Sequence, residues 1–434
     1  MLRLLTISLI SYLVLVTQAN AILTIEITGG TEEGTYSIAV IPFGFASGVL
    51  PPPQDIASIV SNDLHRSGRF SPMPNHVLPE QPFHAQQINF ANWQKATIPY
   101  IVIGRVAESA EGYAIEFELF STYTRKRILG LRYNATTQTL RQVAHQISDE
   151  IYQALMSERG IFSTRIVYVT VQNQGGQMQY QLYIADADGA NPQLMLKSTE
   201  PIFSPTWSPR GDQLAYVTYD NLGRDKRMAV YIQEIRTGKR TRVSAKPGLN
   251  AAPAWSPDGK YLALTLSKDG NPEIYLIDLA TLLPIRLTNN PAIDTEPEWT
   301  PDGKSLIFTS DRSGQPQIYR MAANGSNVQR LTYVGSYNAR PRLSPDGTQL
   351  ALLHNNGNGF QIAILNLKSN SLKILTRTTL DESPSFAPNG GIIIYATGTE
   401  LAAVSTDGVV HQRLSVNMSE QVREPSWSPF FVNN

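Results

Sequence analysis

Beyond about residue 165, short apolar runs alternate with turn-forming clusters at a nearly fixed period. Six strings carry it: SPTWSPRG (204–211), APAWSPDG (252–259), EPEWTPDG (296–303), RPRLSPDG (340–347), SPSFAPNG (383–390) and EPSWSP (424–429). Their aromatic or leucine position falls at Trp207, Trp255, Trp299, Leu343, Phe386 and Trp427, with steps of 48, 44, 44, 43 and 41 residues. Each of the first five strings is followed by an apolar run (LAYVTY, LALTLS, LIFTS, LALLH, IIIYAT). A Gly/Asn turn, a further strand such as IYLIDL, IYRMAA or IAILNL, and a short run ending near Leu-Thr complete several of the units. Four strands and three turns at this period describe one antiparallel propeller blade.

The turn chemistry agrees. In Ser256-Pro257-Asp258-Gly259 the proline presets φ at the second turn position, while Ser and Gly suit the first and fourth. The aromatic two residues before that proline is placed to bury a large ring between blades. Six strings supply six innermost strands, but the string at 424–429 has almost no chain after it. The missing three strands are predicted ahead of the first string, at Ile166–Val171, Gln181–Ala185 and Gln193–Leu196, with Asp186-Ala187-Asp188-Gly189 as a turn. The last blade would then join both ends of the propeller segment and hide its edges.

The pattern changes over residues 35–160. Ser37–Phe43 reads as a buried strand and Pro51-Pro52-Pro53 as a loop. From Asp55, Ile56, Ile59, Val60 and Leu64 follow helical spacing, with Gly68 as the stop. Strands are predicted near Tyr100–Ala107, Tyr113–Tyr123 and Lys126–Tyr133. A closing helix shows Leu140, Val143, Ala144, Ile147, Ile151 and Leu155 on one face, with Gly160 at its end. The fold class is therefore mainly β: a six-bladed β-propeller over residues 161–434, preceded by a small α/β domain over 35–160. Both helical stripes read as core.

At the N-terminus, Arg3, the uncharged run Leu4–Val16 and Ala19-Asn20-Ala21 have the form of a secretory leader over residues 1–21. Cleavage after Ala21 would start the mature chain at Ile22. The apolar run falls short of the roughly 20 residues a spanning helix needs. In the tail that follows (22–34), Leu23, Ile25 and Ile27 alternate up to Gly29-Gly30. Two readings stand side by side: an edge strand of the α/β domain, which the residues alone favour, and a detachable strand that adds to a partner's sheet.

Composition narrows the chemistry. Lys+Arg and Asp+Glu are 36 each in 434 residues, so no net field draws nucleic acid or an anionic membrane surface. Cysteine is absent, which removes thiol nucleophiles, thiolate metal sites and disulfides. There is no G-x-S-x-G elbow, P-loop or G-x-G-x-x-G, and the six histidines are scattered. Asp186-Ala187-Asp188-Gly189 is not a calcium loop of the EF-hand kind, because position 12 would be Lys197. No catalytic residue, metal site or cofactor is predicted. The residues ahead of each Pro-x-aromatic string should instead ring one mouth of the central channel. They include Phe203, Asn250, Ala252, Asp294, Thr295, Glu296, Asn338, Arg340, Asp381, Glu382 and Glu424. Loops on a rigid scaffold commonly carry function, so this mouth is the predicted partner face. Asp294, Glu296, Asp381, Glu382 and Glu424 raise the further possibility of a bound cation.

Taken together, the leader, the I-x-I-T-x-G tail (Ile25–Gly30), AVIPF (39–43), NAAPAWSPDGKYLAL (250–264), DTEPEW (294–299) and LDESPS (380–385) resemble the TolB family of periplasmic propeller proteins. The resemblance covers the whole chain in order. It implies a periplasmic adaptor of the Tol–Pal system that maintains outer-membrane integrity and constriction during division. It implies that the tail (Ile22, Leu23, Ile25, Glu26, Ile27, Thr28, Gly29) binds TolA, which reverses the preference for an edge strand. It implies that the mouth (Asn250, Ala252, Asp294, Thr295, Glu296, Asn338, Arg340, Asp381, Glu382) binds the lipoprotein Pal, and that membranes are reached only through partners. Colicins exploit the same mouth in that family. Leu249 stands where some relatives carry a polar ring, so colicin recognition is not carried over. Two other classes stand as alternatives: a propeller hydrolase or lactonase, which needs convergent metal ligands, and a peptidoglycan-binding propeller, which needs exposed aromatics at the mouth such as Phe203 and Tyr337.

Overall fold

A computed structural model describes residues 25–29, 35–46, 48, 51–110, 112–222, 225–414 and 421–431, with backbone only for 25–29 and 221–222. The expected leader, its cleavage point and tail positions Ile22 and Leu23 lie outside these.

Six antiparallel sheets of four ladder strands form the propeller. Blade one runs Phe203–Trp207, Gln213–Leu222, Asp225–Glu234 and Arg240–Ser244 from the channel outward. Blades two to five repeat this order, starting from Asn250–Trp255, Asp294–Trp299, Tyr337–Leu343 and Asp381–Phe386. In blade six the innermost strand is Gln421–Trp427, paired antiparallel with Arg165–Gln174, and Gln177–Asp186 and Gln193–Ser198 lie outside it. The ring thus closes between the two ends of its own sequence. Ser428 fastens the seam: its N–H donates to the Arg165 carbonyl at 2.9 Å and its Oγ accepts from the Arg165 N–H at 3.0 Å.

Trp207, Trp255, Leu343, Phe386 and Trp427 are each buried. Trp255 shares a core with Val217 and Val230 of blade one and Leu264 of blade two, so the ring plugs a seam between blades. An aromatic side chain in such a seat buries roughly 150–250 Å². Two indoles also stitch neighbours together. Trp207 Nε1 donates to the Ser426 carbonyl at 3.1 Å, and Trp427 Nε1 donates to Thr164 Oγ1 at 2.8 Å.

Each innermost strand contains a proline that has no N–H to give to the ladder, and each bulges there. In blade three the register shifts between Thr295 and Glu298. The residue before the proline turns left-handed in all six blades: Ser204, Ala252, Glu296, Arg340, Ser383 and Glu424 have φ between 47° and 55°.

In the α/β domain the sheet order is Phe70–Pro72, Tyr36–Val40, Tyr100–Ser109, Gly112–Ser121, Lys126–Ala135. Tyr36–Val40 is parallel to both neighbours, and the last three strands form an antiparallel meander. Helix α1 (Ile56–Arg66) is capped by Asp55, which accepts from the Ser58 N–H at 3.1 Å. Its Val60 and Leu64 share a core with Val143 and Ile147 of a second long helix (Leu140–Met156), so both predicted stripes are buried. The opposite face of the sheet is covered by a short helix (Phe90–Lys95) whose Trp93 is fully buried and donates Nε1 to Glu80 at 2.6 Å. In chain order the short and long helices are α2 and α3.

Two local expectations are corrected. Helix α3 stops at Met156 because Ser157 turns left-handed (φ 59°), ahead of Gly160. Gly160 serves a close approach instead: a Cβ there would lie 2.4 Å from Asp149 Oδ1. The tail strand Ile25–Gly29 is not an edge strand of the α/β sheet. It pairs antiparallel with His411–Leu414, the outer strand of blade five, making that sheet five-stranded. The α/β sheet edge beside Tyr36–Val40 spans three residues and ends in Pro72, which lacks a donor.

Candidate functional site

The propeller has two unlike faces. One carries the turns between first and second strands and between third and fourth strands, and the α/β domain packs there. Asn389 Nδ2 donates to the Arg159 carbonyl at 3.2 Å, and Arg66 Nη1 donates to the Ala187 carbonyl at 3.2 Å. The other face carries the connections from each outer strand to the next innermost strand, and it opens onto the channel mouth.

The predicted mouth residues divide into two groups by their seat on the bulge. Asn250, Asp294, Asn338 and Asp381 begin the innermost strands, and their side chains are buried inside the blades. Asn250 accepts from Ser244 Oγ at 2.7 Å and from the Lys246 N–H at 2.9 Å. Asp294 takes both oxygens to Arg312, at 3.0 and 2.8 Å. Asn338 donates to Gln317 Oε1 and the Val334 carbonyl, both at 2.9 Å, and its Oδ1 lies 2.8 Å from His354 Nδ1. Asp381 accepts from Thr376 and Thr378. These four side chains clamp the crossover from one blade to the next. The expectation that they present themselves at the mouth is corrected, because their polar atoms are spent on backbone and side-chain partners within the ring.

Ala252, Thr295, Glu296, Arg340 and Glu382 are half-buried, as is Glu424, while Ser383 is buried. Here the left-handed turn before each proline brings side chains of different blades together. Arg340 Nε stands 3.5 Å from Glu296 Oε1, and Arg340 Nη1 lies 3.4 Å from Glu424 Oε1 and bonds to Ser383 Oγ. Glu296 also accepts from the Arg340 N–H at 2.9 Å and from Thr309 Oγ1 at 2.8 Å. Burial works against the charge on Arg340, but Glu424, Glu296 and Glu382 outweigh it and hold the guanidinium above its usual value. Burial pushes Glu382 up; Arg340 opposes that and Glu424 adds to it. One arginine therefore serves three carboxylates from blades three, five and six. Glu296 and Glu424 face this guanidinium, and Asp294 and Asp381 face the blades, so the acidic residues do not form one cation cradle.

Around this charged centre lies an apolar rim, of which the sequence pointed only to Phe203 and Tyr337. Phe203, Ile293, Tyr333, Val334, Phe360 and Leu380 are exposed large hydrophobics, and Tyr337 stacks edge-on against Phe360 at 5.2 Å. A signal was present: Leu249, Ile293, Tyr337 and Leu380 occupy one repeat position, just before the clamp residues.

On the opposite face, a second charged cluster joins the domains. The buried Asp63 of α1 accepts from Ser148 Oγ at 2.7 Å, and its Oδ2 is 2.7 Å from His145 Nδ1. Arg66 Nε reaches Asp63 at 3.1 Å. Across the interface Arg141 of α3 pairs with Asp186, at 3.3 Å, and with Asp188. Burial would raise Asp63, yet His145 and Arg66 hold it below the ordinary carboxylate value. Burial would lower His145, yet Asp63 raises it above its ordinary value. Asp63, His145 and Asp188 are close enough to share a metal ion. The two arginines already meet those carboxylates, so the group is an ion-pair network by its chemistry. Asp186 and Asp188, read from sequence as turn residues only, prove to hold the α/β domain.

With this geometry in place, likeness to known proteins decides the family. Residues 152–431 match the TolB beta propeller domain and residues 23–128 the TolB amino-terminal domain. The Tol-Pal system protein TolB of Nitrosococcus oceani is 54% identical over 428 residues, covering 97% of each chain. The chain belongs to the TolB family. The family member from Thioalkalivibrio sulfidiphilus is 51% identical, with 95% of each chain covered. The crystal structure of TolB from Acinetobacter baumannii superposes with a TM-score of 0.85 at 42% identity, covering 94% of this chain and 100% of that one. TolB proteins are non-enzymatic, which sets the hydrolase reading aside.

Proposed function

We propose that the chain is the periplasmic adaptor of a Tol–Pal system, with two binding sites at separate places on one rigid ring. The Pal lipoprotein docks on the channel mouth, and TolA takes the N-terminal tail. Linking an inner-membrane motor to an outer-membrane lipoprotein would serve outer-membrane integrity and constriction during division. The protein would work in the periplasm after removal of its leader at Ala21, and would meet membranes only through these partners.

The observation that carries this reading is the mouth itself. A charged centre at Arg340, Glu296, Glu382 and Glu424 is surrounded by exposed Phe203, Ile293, Val334 and Leu380 on the face the α/β domain leaves open. Interfaces of this kind pair buried apolar anchors with a few oriented charges. For the tail, support comes from its seat: it is held on blade five by edge pairing, the same mode in which a partner sheet would take it. Pal at the mouth is then read as governing whether the tail is docked or free, a linkage between two sites on one scaffold.

Calorimetric titration of the mature chain with the Pal periplasmic domain tests the first half. Glu296→Ala/Glu382→Ala should lose binding while still unfolding cooperatively, at a somewhat lower midpoint because Glu296 also accepts from the Arg340 N–H and Thr309. A variant at Asp381 is unsuited, because that carboxylate clamps the fold. Unaltered binding by the double variant would remove the mouth from consideration. Tail mobility by NMR with and without saturating Pal tests the second half; identical spectra for the tail would end the linkage reading.

A further inference from the structure

Between α3 and the adjoining edges of blades six and one lies a cleft of about 670 Å³, on the face away from the mouth and apart from the tail strand. Its volume is in the range of ligand-binding pockets. Three guanidinium groups line it: Arg159, Arg165 and Arg236. Among the described residues none of the three forms an ion pair, although charged residues of both signs are close by. Two of them lie over phenyl rings, Arg159 over Phe430 at 3.9 Å and Arg165 over Phe431 at 5.8 Å. A guanidinium stacked in this way keeps its in-plane N–H fork free for a carboxylate.

Three of the four carboxylates of the same cleft are already engaged. Asp149 accepts from the N–H groups of Phe162 at 2.7 Å and Ser163 at 3.1 Å, closing the loop after α3. Asp186 accepts from Asn191 at 2.8 Å and pairs with Arg141. Asp212 accepts from Ser208 at 2.9 Å and lies 3.9 Å from Arg210. Glu150 has only a long contact, 3.5 Å, with Tyr133. At the inner wall His145 is buried, and its Nε2 has no hydrogen-bond partner, with Asp188 Oδ2 4.0 Å away. Three glutamines of α3, at positions 142, 146 and 153, bring amides to the same wall. The cleft therefore has donors to spare and few free acceptors.

We propose that this interdomain cleft binds a short acidic peptide, with Arg159, Arg165 and Arg236 taking its carboxylates and the α3 glutamines its backbone amides. A peptide is favoured over a small oxyanion because the three arginines belong to different segments around a space much larger than one ion, and because the glutamines suit peptide groups on both their donor and acceptor sides. A ligand held from α3 and from the blade edges together would also bind the two domains to each other. The site shares no residue with the proposed Pal or TolA sites.

The test is fluorescence anisotropy on the mature chain with a labelled tetraglutamate peptide, a tetralysine peptide and inorganic phosphate as competitor, at low salt. Saturable binding of tetraglutamate and not tetralysine is expected. Arg159→Gln/Arg165→Gln should weaken it at least roughly tenfold, and Arg236→Gln should weaken it by several-fold, with thermal melting unchanged. Arg340→Gln, at the mouth, should leave it intact. Absent saturation, equal binding by the cleft variants, or loss in Arg340→Gln would overturn the assignment. Phosphate competing as well as the peptide does would reduce the site to an oxyanion pocket and overturn the peptide reading. Pal binding is read separately, so a failure here leaves the mouth untouched.

Discussion

Arg340 meets Glu296 twice, through a backbone N–H donated to Oε2 at 2.9 Å and through its guanidinium 3.5 Å from Oε1. The first bond depends on the left-handed turn that every blade makes before its proline. The second depends on the side chain that the turn swings inward. Arg340→Met keeps the stem but leaves Glu296, Glu382 and Glu424 without their shared cation. The expected cost is about 1–3 kcal/mol in urea unfolding. Glu382 is already raised, so its folded state holds a proton more readily than the unfolded chain, and stability declines as pH rises through the folded value. The variant should therefore lose more at about pH 8 than at about pH 5. An equal loss at both would mean the carboxylates do not repel one another.

His145 gives the opposite face its own pH response. Its folded value lies above the ordinary 6.5, so it contributes stability that is fully present below about 6.5 and is lost as pH rises through the folded value. Asp63, held below 3.8, contributes above that value and is lost only as acid reaches its folded value. Thermal melts from neutral to alkaline pH should show a falling midpoint in the wild type and a flatter profile in His145→Gln. Parallel profiles would show that the imidazole stays neutral between its two carboxylates.

Asn338 tests the division of the mouth residues into clamps and contacts. Asn338→Ala strands Gln317, the Val334 carbonyl and His354 in a buried site, which should cost about 1–3 kcal/mol. Once refolded, the variant should bind Pal with near wild-type affinity, whereas Glu382→Ala should do the reverse. Weakened binding at full stability in Asn338→Ala would return this residue to the contact surface.

Trp427 fills the last seam of the ring and bonds to Thr164 through its indole. Its backbone N–H also donates to Ser385 Oγ at 3.0 Å, so one residue touches blade six and blade five together. Trp427→Ala should destabilise by about 3–5 kcal/mol on denaturant unfolding, comparable with a large core truncation elsewhere. A loss below about 1 kcal/mol would show that the seam is held mainly by the backbone ladder.

Much of this architecture is visible in the chain, because repetition makes a weak signal strong. One Ser-Pro-Asp-Gly turn is ambiguous, whereas six related strings at a near-constant period leave few alternatives to blades. Helix α1 and helix α3 were likewise plain from spacing. The short elements were not: Phe70–Pro72 and the six-residue helix around Trp93 carry too few residues to show a period. At the mouth, sequence placed the right loops but not the direction of each side chain. Asp294 and Glu296 are two residues apart and both acidic. Only the bulge at Pro297 sends one into the blade and the other toward Arg340. The interdomain ion pairs were invisible for a different reason, since Arg141 and Asp188 meet only after two separately folded units come together.

The seam at blade six also sets an order of events. Trp427 pairs with Ile166 across nearly the whole length of the propeller sequence, so this pairing is the least local within the propeller. Such contacts form late, after the entropy of a long loop has been overcome. A chain that crosses a membrane N-terminus first would have five blades' worth of strands on the far side while the strand Arg165–Gln174 still presented a bare edge. That edge is a ready template for pairing with another chain. The strand Gln421–Trp427 thus acts as a completion signal: until it arrives, the ring is an open sheet stack that must be kept from its neighbours.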